Sequence, residues 1–364
     1  MTHLTHLERY LNSINRKPFD RIPFSVGMTG EMANKLVEYT GVEYYKLMFD
    51  VFQTDTRGEG PRYIGPPSKS YDDGTYENMY GVRMRNVNYG HGTYSEAVGF
   101  PLVHATTVDE IKNYKWPRAD MFQYEPILET LRKFPDYPFT IGYHALGWHS
   151  WEMRGMEKFM EDLYTEEQIA DAIINEISDF GYNYFKELFE LKKKYEGNNF
   201  TAIQLADDWS TQEDLLISPE MFRKFFKPHY KRIIDMAHSA GILVEFHCCG
   251  SQVKLIPDFI DLGVDILNPL QTSAKNMIPH KLKEEFGDYI SFSGGVDVQT
   301  VFPRGTTKSV RDEVFYLLDT VGKDGGYILQ PSHAIQVDTP PENVVAMVDA
   351  VYEYYGMAGT GLMK

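Results

Sequence analysis

Cysteine is scarce in this chain: there are two in 364 residues, and they are adjacent, Cys248 and Cys249. An adjacent pair cannot serve as a disulfide framework, so the expected location is a reducing cytoplasm. Positive charge is also short, with 36 Lys and Arg against 52 Asp and Glu and a net charge of −16. No dense Lys/Arg run is present, which argues against nucleic acid and anionic membrane as partners. No stretch is long and apolar enough to span a bilayer. The opening residues Met1–His6 lack the basic-then-apolar order of a secretory leader. Neither a GxGxxG nor a Walker sequence occurs, which weakens the case for a nucleotide-binding open sheet.

What is present suits a large buried core. Hydrophobic residues make up 43% of the chain, and 25 Tyr, 22 Phe and 4 Trp exceed what a core strictly needs. Packing accounts for most of these rings, and some are available to line a pocket for a flat or apolar molecule. Short β-like runs alternate with amphipathic stretches. The expected strands are Ile22–Gly27, Phe139–His144, Phe200–Ala206, Leu243–His247, Ile266–Pro269, Ile290–Ser293 and Tyr327–Gln330. Several are continuously apolar, as strands covered on both faces are.

Helix signals fall between the strands. Thr165-Glu166-Glu167-Gln168 reads as a capping box opening a long helix toward Lys194. Ser218-Pro219 reads as an N-cap with proline at the first position, Gly241 suits the far end, and Pro228 implies a break between them. Thr307 is expected to cap a helix stopping near Gly322. Thr339-Pro340-Pro341-Glu342 reads as another box, with Gly356 closing the last helix. Repeated strand–helix alternation predicts a parallel sheet. At this length the expected architecture is one (β/α)8 TIM barrel over residues 1–364, ahead of an open doubly wound sheet. The Gly-, Pro-, Tyr- and Asn-rich region 55–99 reads as an inserted β-hairpin covering one end of the barrel.

In such barrels chemistry sits at the C-terminal ends of the strands. That rule selects Tyr143, His144 and, slightly later, Trp148 and His149. It also selects Asp207, Asp208 and Trp209, then His247, Cys248 and Cys249, then Asn268 and Gln271, then Gln299, and finally Ser332 and His333. His247 and Cys249 are two apart, so on extended backbone they point the same way and Cys248 points into packing. Imidazole and thiolate are favoured zinc ligands, and three protein ligands with one open position define a catalytic site. His333 is the best third ligand, with Asp207, Asp208 and Glu245 as alternatives. Buried packing is the rival reading of the His–Cys pair. Asp207 and Asp208 could equally cap a helix. The histidines at 3, 6, 91, 104, 229, 238 and 280 carry no functional weight.

An ordered set of segments carries a resemblance. They are Ser218-Pro219-Glu220-Met221-Phe222, Phe246-His247-Cys248-Cys249-Gly250, Gly263-Val264-Asp265-Ile266-Leu267-Asn268, Ser293-Gly294-Gly295-Val296-Asp297, Pro331-Ser332-His333-Ala334-Ile335 and Asp338 to Val344. With these the chain resembles the uroporphyrinogen decarboxylase superfamily of (β/α)8 barrels. The resemblance is good from about Phe200 onward and weaker before it. True decarboxylases carry an Arg-rich signature soon after the first strand, whereas Ser25–Gly30 contains no Arg. The other branch, the cobalamin-dependent methyltransferases, holds zinc with His-x-Cys-Gly plus a later residue. His247-Cys248-Cys249-Gly250 fits that motif. The later ligand in thiol-methylating members is usually Cys, at the place of His333 here, and decarboxylases also have His there. His333 is therefore open between zinc ligand and proton donor.

The resemblance implies a zinc-dependent methyltransferase. It would move a methyl group from a small methoxylated donor, aromatic or not, to the cobalt of cobalamin on a separate corrinoid protein, since no Asp-x-His-x-x-Gly corrinoid motif occurs in the chain. The implied metal ligands are His247, Cys249 and His333. Asp207, Asp208 and His333 are the implied catalytic residues. Tyr143, His144, Trp148, Trp209, Asn268, Gln271 and Gln299 are the implied substrate contacts. A homodimer is compatible with this reading. The rivals are methyl transfer from corrinoid to a thiol, a metal-free uroporphyrinogen-type decarboxylase, and a non-catalytic corrinoid- or tetrapyrrole-binding protein.

Overall fold

Continuous apolar runs become the staves of a closed parallel sheet. The computed structural model describes residues 3–90 and 92–363; His91 lies outside that description, as do residues 1, 2 and 364. The seven strands are β1 (Arg57–Glu59), β2 (Phe139–Ala145), β3 (Phe200–Ala206), β4 (Leu243–His247), β5 (Ile266–Leu270), β6 (Ser291–Val296) and β7 (Tyr327–Pro331). They lie side by side in chain order, and every neighbouring pair is parallel. β5 and β6 are buried at every position, as strands covered by side chains on both faces must be.

The expected first strand, Ile22–Gly27, is reduced to isolated parallel bridges, Phe24 with Leu329 and Met28 with Ile335. Pro23 has no N–H to give, and the Phe24 N–H goes to the Asp55 side chain at 2.9 Å instead of to a strand. The segment still fills the eighth place. Ser25 N–H reaches Leu329 O in β7 at 3.1 Å, and Asp55 N–H, just ahead of β1, reaches Phe24 O at 2.8 Å. The result is the barrel arrangement of a (β/α)8 fold. Helix His6–Ile14 closes its N-terminal end, where Tyr10 and Ile14 pack on Ile266 and Ile328 at the strand starts.

The inserted region needs a boundary correction. Arg57–Glu59 lies inside the expected 55–99 insertion but pairs with Phe139–Ile141 and is a barrel strand. Its Arg-Gly-Glu sequence carries no apolar signal. In the rest of the region Arg62–Tyr63 pairs with Phe122–Gln123, and Tyr76–Glu77, Arg83–Asn88 and Thr93–Gly99 form a three-stranded antiparallel sheet.

Several caps also differ from expectation. Thr165 ends the helix Met156–Thr165, and the next helix, Glu167–Lys193, starts without a side-chain cap. The cap of Thr307–Leu317 is Thr306, one residue earlier, in a capping box with Ser309. Pro340, not Thr339, precedes the last helix, and no side chain caps it. Ser218 does cap Pro219–Phe225 by accepting from Met221 N–H, and Pro228 begins a new helix, Lys227–Ser239, after the break at Phe226.

Candidate metal centre

Strand parity decides which side chains reach the barrel mouth. On β4, Glu245 and His247 share the inward face, and the chain then continues past Cys248 to Cys249. Cys248 is fully buried in the hydrophobic core. His247, Cys249 and His333 each offer a ligand atom, and these atoms lie within 4.8 Å of one another. The Cys249 Sγ to His247 Nε2 separation is 3.3 Å. That is the spacing expected of two ligands sharing one small ion with bonds of about 2.0–2.3 Å in tetrahedral array. One thiol and two imidazoles form a donor set suited to zinc. Glu245, an alternative third ligand from sequence, lies one layer deeper and bonds to Gln204 Nε2 at 3.0 Å.

The surroundings hold these groups in place. His247 Nδ1 lies 2.7 Å from Asn268 Oδ1, so Nδ1–H donates and Nε2 keeps its lone pair for a metal. Asn268 Nδ2 in turn meets Ser293 Oγ at 3.3 Å. Asp208 Oδ1 accepts from Cys249 N–H at 2.8 Å, and Gln271 Oε1 accepts from Gly250 N–H at 2.7 Å. Gly250 has φ 94°, and a Cβ there would lie 2.5 Å from Thr211 O, so the turn after the thiol requires glycine. Burial pushes the Cys249 thiol well up, helped by the neighbouring Asp208. Burial pushes the His247 imidazole down, against Asp208 and Asn268. The imidazole is thus neutral and ready to ligate, whereas the thiol must lose its proton when a metal binds.

His333 is exposed and follows β7. Together with Cys249, Gln271, Gln299, Gln212, Val298 and Gln336 it lines a cleft of about 390 Å³. Tyr89 and Tyr94 from the inserted region complete that cleft, and like Gln336 they are absent from the sequence reading. Their rings stack at 5.5 Å. Tyr89 OH donates to Gln336 Oε1 at 2.7 Å, and Gln336 Nε2 donates to Tyr94 OH at 2.8 Å.

Other expected site residues lie elsewhere. Asp207 is buried and accepts from Gly147 N–H at 2.7 Å, from Trp148 N–H at 2.6 Å and from Tyr230 OH. It thereby caps the helix Leu146–Arg154, whose own first residue supplies no side-chain cap. Burial pushes its carboxyl up to about 7. With both oxygens engaged, it is not placed to orient a donor. His144 is a correction too, since it is buried against Gly181 and Phe180 of the helix behind β2. Trp209 is likewise fully buried, packed against Trp151 and Phe226. Trp148 is exposed beside Trp151. Tyr143 faces inward and lines the barrel lumen.

The profile of the family described as uroporphyrinogen decarboxylase (URO-D) matches residues 138–354, more than half of the chain. The methylcobamide:CoM methyltransferase MtbA of Methanosarcina acetivorans is 21% identical over 362 residues, spanning 97% of this chain and 99% of that protein. The chloroplastic uroporphyrinogen decarboxylase 2 of Oryza sativa subsp. japonica is 25% identical over 218 residues, 58% of this chain and 49% of that protein. The solved structure of a methyltransferase from Methanosarcina mazei superposes with a TM-score of 0.69 at 19% identity, covering 97% of this chain and all 100% of that one, and so shares the fold.

Proposed function

The chain belongs to the uroporphyrinogen decarboxylase family, and from that premise we propose that it is a zinc-dependent methyltransferase. It moves a methyl group from a small methoxylated donor to the cobalt of a corrinoid carried on a separate protein. The observation that carries this reading is the convergence of the ligand atoms of His247, Cys249 and His333 within 4.8 Å, where Cys249 and His333 line a cleft. End-to-end similarity to methyltransferases supports it. His247, Cys249 and His333 would hold the zinc, which as a Lewis acid would stabilise the alkoxide or phenoxide leaving the methyl group.

The chain's own residues supply the rest. Asn268 fixes the His247 ring so that Nε2 lies toward the Cys249 thiol, 3.3 Å from its Sγ. Asp208 and Gln271 hold the Cys249–Gly250 backbone. Gln299 and Gln271 line the cleft as hydrogen-bonding groups for donor or corrinoid, and Tyr89 and Tyr94 present ring faces suited to a flat partner. A polycarboxylate porphyrinogen finds no match here. Among the described residues no Arg or Lys lines the cleft, and Arg9 and Arg21 are paired with Asp20 and Asp55.

Metal analysis and a methyl-transfer assay test the reading together. Wild type purified without chelator is expected to hold about one zinc per chain and to methylate a reduced corrinoid protein from a methoxylated donor. Cys249→Ala should lose both. Full zinc content and activity in that variant would sink the assignment. A second reading is favoured by the activity for which the archaeal relatives are named, which begins from a methylcobamide. In it the methyl group runs from corrinoid to a thiol. Faster demethylation of methylcobalamin by thiols than methylation of the corrinoid by any ether would select it.

A further inference from the structure

Two of the three ligand atoms at the metal centre are fixed by neighbouring side chains. Asn268 holds the His247 ring, and Asp208 and Gln271 hold the Cys249–Gly250 backbone. The third is not fixed in this way. His333 is exposed, and among the described residues no hydrogen bond orients its imidazole. Its position follows from the backbone of residues 332–339 that carries it, so whatever fastens that loop also places the ligand atom.

The loop is fastened to the segment in the eighth strand place and to the helix that follows it. Ser332 N–H reaches Val296 O of β6 at 2.8 Å, which fixes the root. Two residues past the histidine, Ile335 N–H reaches Gly27 O and Ile335 O accepts from Thr29 N–H, both at 3.0 Å. Thr29 is also the N-cap of the helix Gly30–Thr40. The same helix makes a second attachment farther along. Lys35 Nζ donates to Val337 O at 2.8 Å and to Thr339 O at 2.9 Å, across the turn that Thr339 N–H closes on Gln336 O at 3.1 Å. Lys35 is half-buried and makes no ion pair among the described residues, so its ammonium is committed to these carbonyls. Hydrogen bonds from a charged donor are roughly twice as strong as neutral ones. The bridge at Ile335 is backbone to backbone, so Lys35 is the side chain that closes the loop onto the helix.

We propose that Lys35 is a positioning residue for the metal centre: by closing the far side of the loop it holds the His333 ligand atom beside those of His247 and Cys249. Its functional part rests on the zinc reading, and the clamp itself can be read without metal. Zinc affinity of the full chain is measured by competition with a chromophoric chelator. Lys35→Met, which keeps the stem and removes the donor, is expected to bind zinc about tenfold more weakly, with a urea midpoint near that of wild type. Lys35→Arg, which keeps a charged donor, recovers most of the loss. In a His333→Ala chain, Lys35→Met should add nothing, because the group it positions is gone. Full zinc affinity in Lys35→Met, or a loss of the same size that persists without His333, overturns the proposal. Amide exchange at Ile335 and Thr339, whose N–H groups are hydrogen-bonded to Gly27 and Gln336, reads the clamp directly and should quicken in Lys35→Met. Unchanged exchange there overturns the proposal whatever the zinc affinity. Faster exchange in a protein whose wild type takes up no zinc would leave the clamp standing and remove the zinc reading on which its role rests.

Discussion

Asn268 joins two neighbours at once, accepting from His247 Nδ1 and donating to Ser293 Oγ. Asn268→Leu leaves the imidazole free to rotate or change tautomer, so zinc affinity is expected to fall about 10- to 100-fold, read by competition with a chromophoric chelator. Unchanged affinity would mean that packing alone orients the ring. Gly250→Ala should be worse, because it forces an L side chain to φ 94° and against Thr211 O. The grouping of His247, Cys249 and His333 was legible in the sequence because its residue types are rare: two cysteines in 364 residues leave few readings of His247-Cys248-Cys249. Asp207, Trp209 and His144 were misplaced because every strand-end residue was taken to face the mouth. Parity held the correction. With Gln204 inward on β3, Asp207 and Trp209 fall on the outer side and Asp208 on the inner. Tyr89, Tyr94 and Gln336 were not legible, because only the tertiary path of the insertion brings them to His333.

At the scale of elements, the helix Leu146–Arg154 starts without a cap of its own and borrows Asp207 from β3. Asp207→Ala strands two backbone N–H groups and the Tyr230 hydroxyl, and is expected to cost about 1–3 kcal/mol in urea unfolding. A cost near zero would show that water replaces the carboxylate. The inserted sheet is fastened to the His333 loop through Gln336 and its two tyrosines. Gln336→Ala should raise amide exchange at the tip of the Arg83–Asn88 and Thr93–Gly99 strands without loss of zinc. Exchange unchanged from wild type would mean that other contacts hold the tip. The long apolar strands were readable from sequence because burial on both faces writes a continuous run. β1 was not, because three polar and glycine residues carry no such pattern. The cap errors at Thr307 and Thr339 share one cause: Thr306-Thr307 and Pro340-Pro341 are runs, and sequence alone does not choose which member takes the non-helical backbone, whereas at Thr165 the preceding helix runs on through the threonine and Glu166 takes that backbone.

Closure of the whole barrel converges on one carboxylate. The fully buried Asp55 accepts from Phe24 N–H at 2.9 Å and from Arg9 Nη1 at 2.7 Å, pairs with Arg21, and lies 2.8 Å from His6 Nδ1. It thereby ties the helix at the barrel bottom, the segment in the eighth strand place and the entry to β1. That eightfold closure was expected from the alternation of strands and helices, but nothing in the sequence marked Asp55 as the residue holding it. Burial alone would raise its carboxyl; Arg21, His6 and Arg9 outweigh burial and hold it well below the usual carboxylate range. A carboxylate whose folded pKa is depressed adds stability that is fully present above its unfolded pKa of about 3.9. That contribution is lost as the pH falls toward the folded value. Asp55→Asn leaves two guanidinium groups without this counter-charge, Arg9 keeping only Asp20, and is expected to cost about 3–5 kcal/mol at pH 7. Its penalty relative to wild type should shrink as the pH is lowered below about 4, because the unfolded wild-type chain then takes up a proton at Asp55 that the folded carboxylate does not. Urea midpoints of both proteins across that range measure the difference. A variant with the wild-type midpoint at neutral pH would show that the barrel closes without this charge.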